Sequence, residues 1–320
     1  MQPLKKFVPT FTGKFGIVST GGPVPPARES LALDLLVKLN YQYLQDYSCS
    51  KYYADYTFGF SNGSPQMRIS AIERMLNDTS IGCLLAARGA TGSLEILKNL
   101  PYGLWKENPK LLIGNSDVTS ILLQMVSKCG IPAIHGATLG SAFADYDNSV
   151  EAKISVDSLI SMITDRDYRI KFDSKSILKE SAVSEGFLLA GNLTMLAALL
   201  GTEFDIDYQD AILIIEEVGE APYRVQRLLD QLYLAGKFDR LKGLCFGRFS
   251  KPNSANSNGD RGPSMEEVIG QFCNSRLAPF TFPILTGLEV GHWGTNLPVP
   301  IGCKAEIRDG VVYQLQSPLE

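Results

Sequence analysis

The chain is 320 residues long, 45% hydrophobic and 20% charged, with 30 Lys+Arg against 34 Asp+Glu and a net charge of -4. That is a globular composition, long enough for one large domain or two ordinary ones, and it lacks the basic cluster that nucleic-acid binding requires. Only two histidines occur, His135 and His292, which excludes a histidine-rich metal site.

In chain order, residues 15–20 (FGIVST) read as a short buried strand running into a Gly21-Gly22-Pro23 turn. Leu31, Leu35, Leu36 and Leu39 recur at helical spacing and predict a helix over 28–45. The aromatic and polar stretch 51–65 reads as a loop, and 66–77 as an amphipathic helix with Ile69, Ile72 and Leu76 on one face. A strand over 81–86 leads into Arg88-Gly89-Ala90-Thr91-Gly92 and a helix from Ser93. The next unit is a strand over 110–113, the sharp turn Gly114-Asn115-Ser116-Asp117 and a helix over 118–128, closed by a strand over 131–135. Short apolar strands alternating with amphipathic helices predict a parallel sheet with helices on both faces and a ligand site at the strand C-termini.

Residues 143–185 are more charged, with a helix over 156–164 and a strand over 168–172, and read as an inter-domain connection. A second apolar block follows, with a helix over 193–200, a strand over 211–215, a helix over 223–235 and a strand over 243–249. Residues 250–263 read as a surface loop, after which Ser264 and Glu267 spell a capping box that opens a helix through Phe272. The expected division is an N-terminal α/β domain over 1–142, the connection over 143–185 and a C-terminal α/β domain over 186–320. Six widely spaced cysteines without a CxxC pair read as buried thiols in a reducing compartment. The first residues lack the apolar core of a secretory signal, and the uncharged run 187–202 is short of a membrane span, so a soluble, cytoplasmic protein is expected.

The turn before residue 118 would project the Ser116 hydroxyl at the top of the sheet, beside backbone N–H groups at a helix N-terminus. It is close to a nucleophile elbow, although Val118 replaces the second glycine of G-x-S-x-G, and helix capping by Ser116 or Asp117 is the competing reading. A serine nucleophile needs a base, and the chain offers two histidines. His135 ends an apolar strand, whereas His292 lies in a loop between Gly291 and Trp293-Gly294, and His292 is the preferred base. The acid that fixes the base is sought in Ile212-Leu213-Ile214-Ile215-Glu216-Glu217, where strand alternation sends the two glutamates to opposite faces without choosing between them. Solvated glutamates pairing with Arg224 or Arg227 are the alternative. The 88–92 turn could give a second oxyanion donor, and it lacks the lysine and glycine spacing of a nucleotide loop.

The segments FGIVSTGGPV, AARGATGS, GNSDVTSILL, IHGATLG and AGNLTMLAALLGTEFD occur in that order. With ILIIEEVGEAPYRVQRLLDQLYLAGKFDRLKGLCFGRF and TGLEVGHWGTNLPVPIGCKAEI after them, the set resembles the LD-carboxypeptidase family of serine peptidases, which includes the microcin C self-immunity hydrolases. The likeness runs from about residue 14 to 308. It implies a Ser116-Glu216-His292 triad and an oxyanion hole from the backbone N–H groups of Ala90 and Asp117, in a cleft between the two domains. It also implies a homodimer that uses neither metal nor cofactor and takes a small peptide, either a murein tetrapeptide losing its terminal D-residue or a peptide-nucleotide. One departure stands out: the family reads R-G-G-Y-G where this chain has Ala90 and Thr91, and the donor survives if the φ of Ala90 is negative. A generic α/β-hydrolase esterase and a non-catalytic small-molecule binding module are the competing readings.

Overall fold

Parallel strands covered on both faces are apolar along their whole length, and β3 (Cys83–Ala86), β4 (Leu111–Gly114) and β5 (Ala133–His135) are buried at every position. With β1 (Lys14–Val18) and the half-exposed edge strand β2 (Gln42–Gln45) they form the parallel part of the first sheet, in the order β5-β4-β3-β1-β2. The computed structural model describes all residues except 1–3, 5–7, 12, 47–59, 180–181, 250–261 and 320. The loops expected over 51–65 and 250–263, and Cys49, therefore fall wholly or mostly outside the described residues.

The second sheet is mixed. β8 (Ser184–Asn192), β9 (Ala211–Glu217), β10 (Gly243–Phe249) and β11 (Ile284–Thr286) run parallel at its centre. β13 (Lys304–Arg308) and β14 (Val311–Gln314) extend one side antiparallel. Residues 143–185 supply the helix Val150–Thr164 and both edges of this sheet, β6 (Lys171–Asp173) beside β14 and β7 (Lys175–Leu178) beside β11. Late in the chain, β12 (Val299–Ile301) returns to the first sheet and pairs antiparallel with β5, Val299 opposite His135. One buried apolar cluster runs through both halves, from Phe15 and Leu112 to Ile214 and Val312.

Two predicted helices differ from the structure. The first ends at Lys38, because Asn40 takes a left-handed φ of 62° that breaks the helix, and the remaining residues become β2. The second opens as a 3₁₀ turn, Ser116–Val118, continues as an α-helix over Thr119–Gln124 and loosens into a π turn over Met125–Cys129. The capping box forms in full, with Glu267 N–H donating to Ser264 Oγ and Ser264 N–H to the Glu267 carboxylate. Cys83, Cys129, Cys245, Cys273 and Cys303 are free and buried, and among the described residues no helix is long and apolar enough to cross a membrane.

Candidate active site

Ser116 directly follows Asn115 at the end of β4, with a φ of 60°. An L-residue in this left-handed region costs about 1–2 kcal/mol, and the strain is what a tight strand-to-helix elbow imposes on the half-buried residue at its apex. The capping alternative fails, since neither the 3₁₀ turn nor the helix after it has a side-chain N-cap hydrogen bond. Asp117 instead reaches sideways, its Oδ2 accepting the Ser93 N–H at 2.8 Å and its carbonyl accepting the Ser93 hydroxyl at 2.6 Å. Burial raises the Asp117 carboxyl to about 6, against the Ser93 hydrogen bonds that favour its charge.

The 88–92 turn presses against the serine. A Cβ on Gly89 would lie 2.7 Å from Ser116 Cβ and 3.1 Å from its hydroxyl, so only glycine lets the two loops meet. From behind, Gly22 N–H donates to the Gly89 carbonyl at 2.8 Å, and a Cβ on Gly21 would fall 2.0 Å from that same oxygen. Ala90 has a φ of 60°, so the condition of a negative angle is not met; the alanine instead adopts the left-handed conformation open to glycine, at a cost of about 1–2 kcal/mol, which keeps its N–H where a glycine's would be. Arg68, fully buried, donates to Thr20 O at 2.8 Å and to Gly92 O at 2.9 Å and pairs with Glu95, joining the ends of both loops. It shares the buried face of its helix with Ile72 and Met75, where an arginine in the sequence gave no sign of this role.

Glu216 and Glu217 leave β9 on opposite faces, and both are buried. Glu216 Oε2 lies 2.6 Å from His292 Nδ1. Burial works against the charge on Glu216, yet the adjacent His292 and their hydrogen bond hold its carboxyl well below the usual range. Burial likewise opposes the charge on His292, but Glu216, with a smaller contribution from Glu217, raises its pKa. The His292 ring is 18% exposed, and its Nε2 is buried without a hydrogen-bond partner. Glu217 binds protein instead: Asn192 Nδ2 donates to it at 2.9 Å, and Thr194 N–H and hydroxyl donate at 2.8 Å each. The expected pairing of a glutamate with Arg224 occurs at Glu220, 3.5 Å away.

A cavity of about 580 Å³ brings these groups together across the two halves of the chain. Its lining includes Arg88–Thr91 and Asn115–Asp117 from the first half, and Asn192, Thr194, Glu217 and His292 from the second. A second cavity of about 400 Å³ shares Asn115, Gly140, Ser141 and His292 with it and reaches Trp293 and Asn296. Ser116, Ala90, Asp117 and His292 therefore face one space, with Glu216 behind His292. Among the described residues the Ala90 N–H donates to no protein acceptor.

Profiles of the LD-carboxypeptidase N-terminal and C-terminal domains match residues 15–136 and 185–307. A relative from Synechocystis sp. is 31% identical over 252 residues, covering 78% of this chain and 77% of its own. The chain belongs to the LD-carboxypeptidase family. Within the family, it is 29% identical over 255 residues to the murein tetrapeptide carboxypeptidase of Pseudomonas aeruginosa, covering 78% of this chain and 79% of that protein. The fold also matches the structure of MccF in complex with glutamyl sulfamoyl guanosine, with a TM-score of 0.84 at 20% identity over 99% of this chain and 100% of that one. Ser116 lies in the part matched by the N-terminal profile, Glu216 and His292 in the part matched by the C-terminal one.

Proposed function

We propose that the protein is a serine LD-carboxypeptidase that removes the terminal D-amino acid from murein tetrapeptides during peptidoglycan recycling, through a Ser116-Glu216-His292 triad. The observation that carries this reading is a left-handed serine at the head of β4 sharing one cavity with an imidazole whose far nitrogen is bonded to a buried glutamate. His292 Nε2 takes the Ser116 proton as the hydroxyl oxygen attacks the amide carbonyl between the L-centre and the D-residue. The backbone N–H groups of Ala90 and Asp117 hold the oxyanion. His292 returns the proton to the leaving amine, and water then hydrolyses the acyl-enzyme along the same route. Glu216 fixes the ring and stabilises its charged form in both steps.

A carboxypeptidase also needs a cation for the substrate's terminal carboxylate. Among the described residues Arg88 is the one Lys or Arg that lines the main cavity, and its Nη1 donates to Pro23 O at 2.8 Å, fixing the guanidinium beside the oxyanion loop. We assign the carboxylate to Arg88. A homodimer in the cytoplasm completes the reading; the family resemblance supports both, the five buried free thiols agree with reducing surroundings, and sedimentation gives the mass.

The test is incubation of wild type and Ser116→Ala with murein tetrapeptide while free D-Ala is measured. Release by wild type alone is expected. Release by both proteins would remove the serine mechanism, and turnover of an aminoacyl-nucleotide amide in place of the tetrapeptide would move the protein to the immunity branch.

A further inference from the structure

Glu216 exposes no surface, and only its Oε2 is hydrogen-bonded, by His292. Its other oxygen, Oε1, has no hydrogen-bond partner and lies 3.8 Å from Nε2 of His135. The His135 ring is equally buried, and neither of its nitrogens has a partner. A half-satisfied buried carboxylate beside a wholly unsatisfied imidazole is costly in a folded chain, and groups left this way call for a reason beyond packing. The two come from different sheets. His135 ends β5 in register with Gly114, two residues before Ser116, while Glu216 stands near the end of β9 opposite Asn192.

We propose that His135 is a positioning residue that donates its Nε2–H to Glu216 Oε1. It thereby holds the carboxylate ionised and ties the acid of one sheet to the strand that carries the nucleophile in the other. The 3.8 Å separation exceeds a hydrogen bond by less than an ångström, which a small side-chain rotation removes. Both histidines of the chain then serve one carboxylate, one at each oxygen. The inference rests on the triad proposed above.

The titratable groups facing the Glu216 carboxylate from the surrounding elements are His292 and His135. Glu217 turns to the other face of β9, to Asn192 and Thr194, while adding to the field at His292. Without the His135 donor, the carboxylate, still ionised where His292 titrates, is more basic and pulls harder on the His292 proton. The base then has a higher pKa, and the acid limb of the rate profile moves to higher pH. The turnover number falls about 10- to 100-fold, the scale of one hydrogen bond to a charged group. KM stays at its wild-type value, because His135 lines neither cavity.

The experiment compares full-length wild type, His135→Leu and His135→Gln by two readouts across pH: kcat and KM for D-Ala release, and the rate at which a fluorophosphonate labels Ser116. The expected result is that the Leu variant loses kcat and labelling rate with its acid limb displaced upward, and that Gln, which keeps an N–H donor, recovers much of both. A Leu variant with wild-type kcat and limb, or a folded Gln variant that falls as far as Leu, overturns the proposal. Labelling needs no peptide. If wild type labels but releases no D-Ala, the substrate reading fails while labelling rates and their pH limbs still decide the role of His135.

Discussion

The pKa of His292 is raised by Glu216, and a general base works only in its neutral form. With His292 as the proposed base, activity is therefore expected to be lost as pH falls through a value above the ordinary histidine pKa of about 6.5, with the acid limb of kcat/KM on the alkaline side of that number. Glu216→Gln removes the charge that raises it, so the limb moves down while kcat drops on the order of 10⁴-fold, the scale reported when a triad carboxylate becomes an amide. A pH–rate series on the two proteins measures both effects. Gly89 gives a second prediction at this scale. Its substitution by alanine places a methyl 2.7 Å from Ser116 Cβ, and displacing the nucleophile by even an ångström costs about 100-fold in kcat. Circular dichroism of Gly89→Ala is expected to stay native. Arg88→Ala is expected to raise KM for tetrapeptides with a free terminal carboxylate and leave KM for the terminal amide unchanged, which steady-state kinetics on the pair would show.

At the scale of the element, the C-terminal end of β9 supports two structures at once. Glu216 faces the His292 ring, while Glu217 takes the Asn192, Thr194 and Val218 donors and so fixes the start of the helix Leu193–Ala198. Glu217→Ala leaves the buried Asn192 amide and the part-buried Thr194 donors unpaired, and a loss of about 2–3 kcal/mol in denaturant unfolding is expected. The apolar run before the two glutamates made β9 legible from sequence, and so did its alternation to opposite faces. Which acid meets His292 was not legible locally, because it depends on partners that lie 76 residues from Glu216 and 23 and 25 residues from Glu217. Ser116 could be found because glycine, serine and helix signals sit side by side. β8, by contrast, is an apolar run without alternation, and nothing in its period separates a buried strand from a buried helix. The strain at Ala90 was hidden as well, since a family glycine at that place leaves the sign of φ open.

For the whole molecule, the second half of the chain closes the first sheet. β12 follows the His292 loop and docks against β5, and one apolar cluster spans both halves. Calorimetry is expected to show a single unfolding transition, with calorimetric and van't Hoff enthalpies in agreement. Two resolved transitions would mean that the halves unfold independently. The same closure made the architecture harder to read from sequence than its parts: each strand follows from its apolar residues, but the return of residues 299–301 to a sheet begun near residue 14 is set by tertiary packing alone.

That return also sets when the active site comes into being. A ribosome makes the elbow serine in the first half of synthesis, the glutamate about two-thirds of the way through, and the histidine loop with its anchoring strand close to the end. On the proposed triad, a nascent or truncated chain thus has its nucleophile long before it has its base. Hydrolysis by that triad would be withheld until almost the whole polypeptide has emerged and folded.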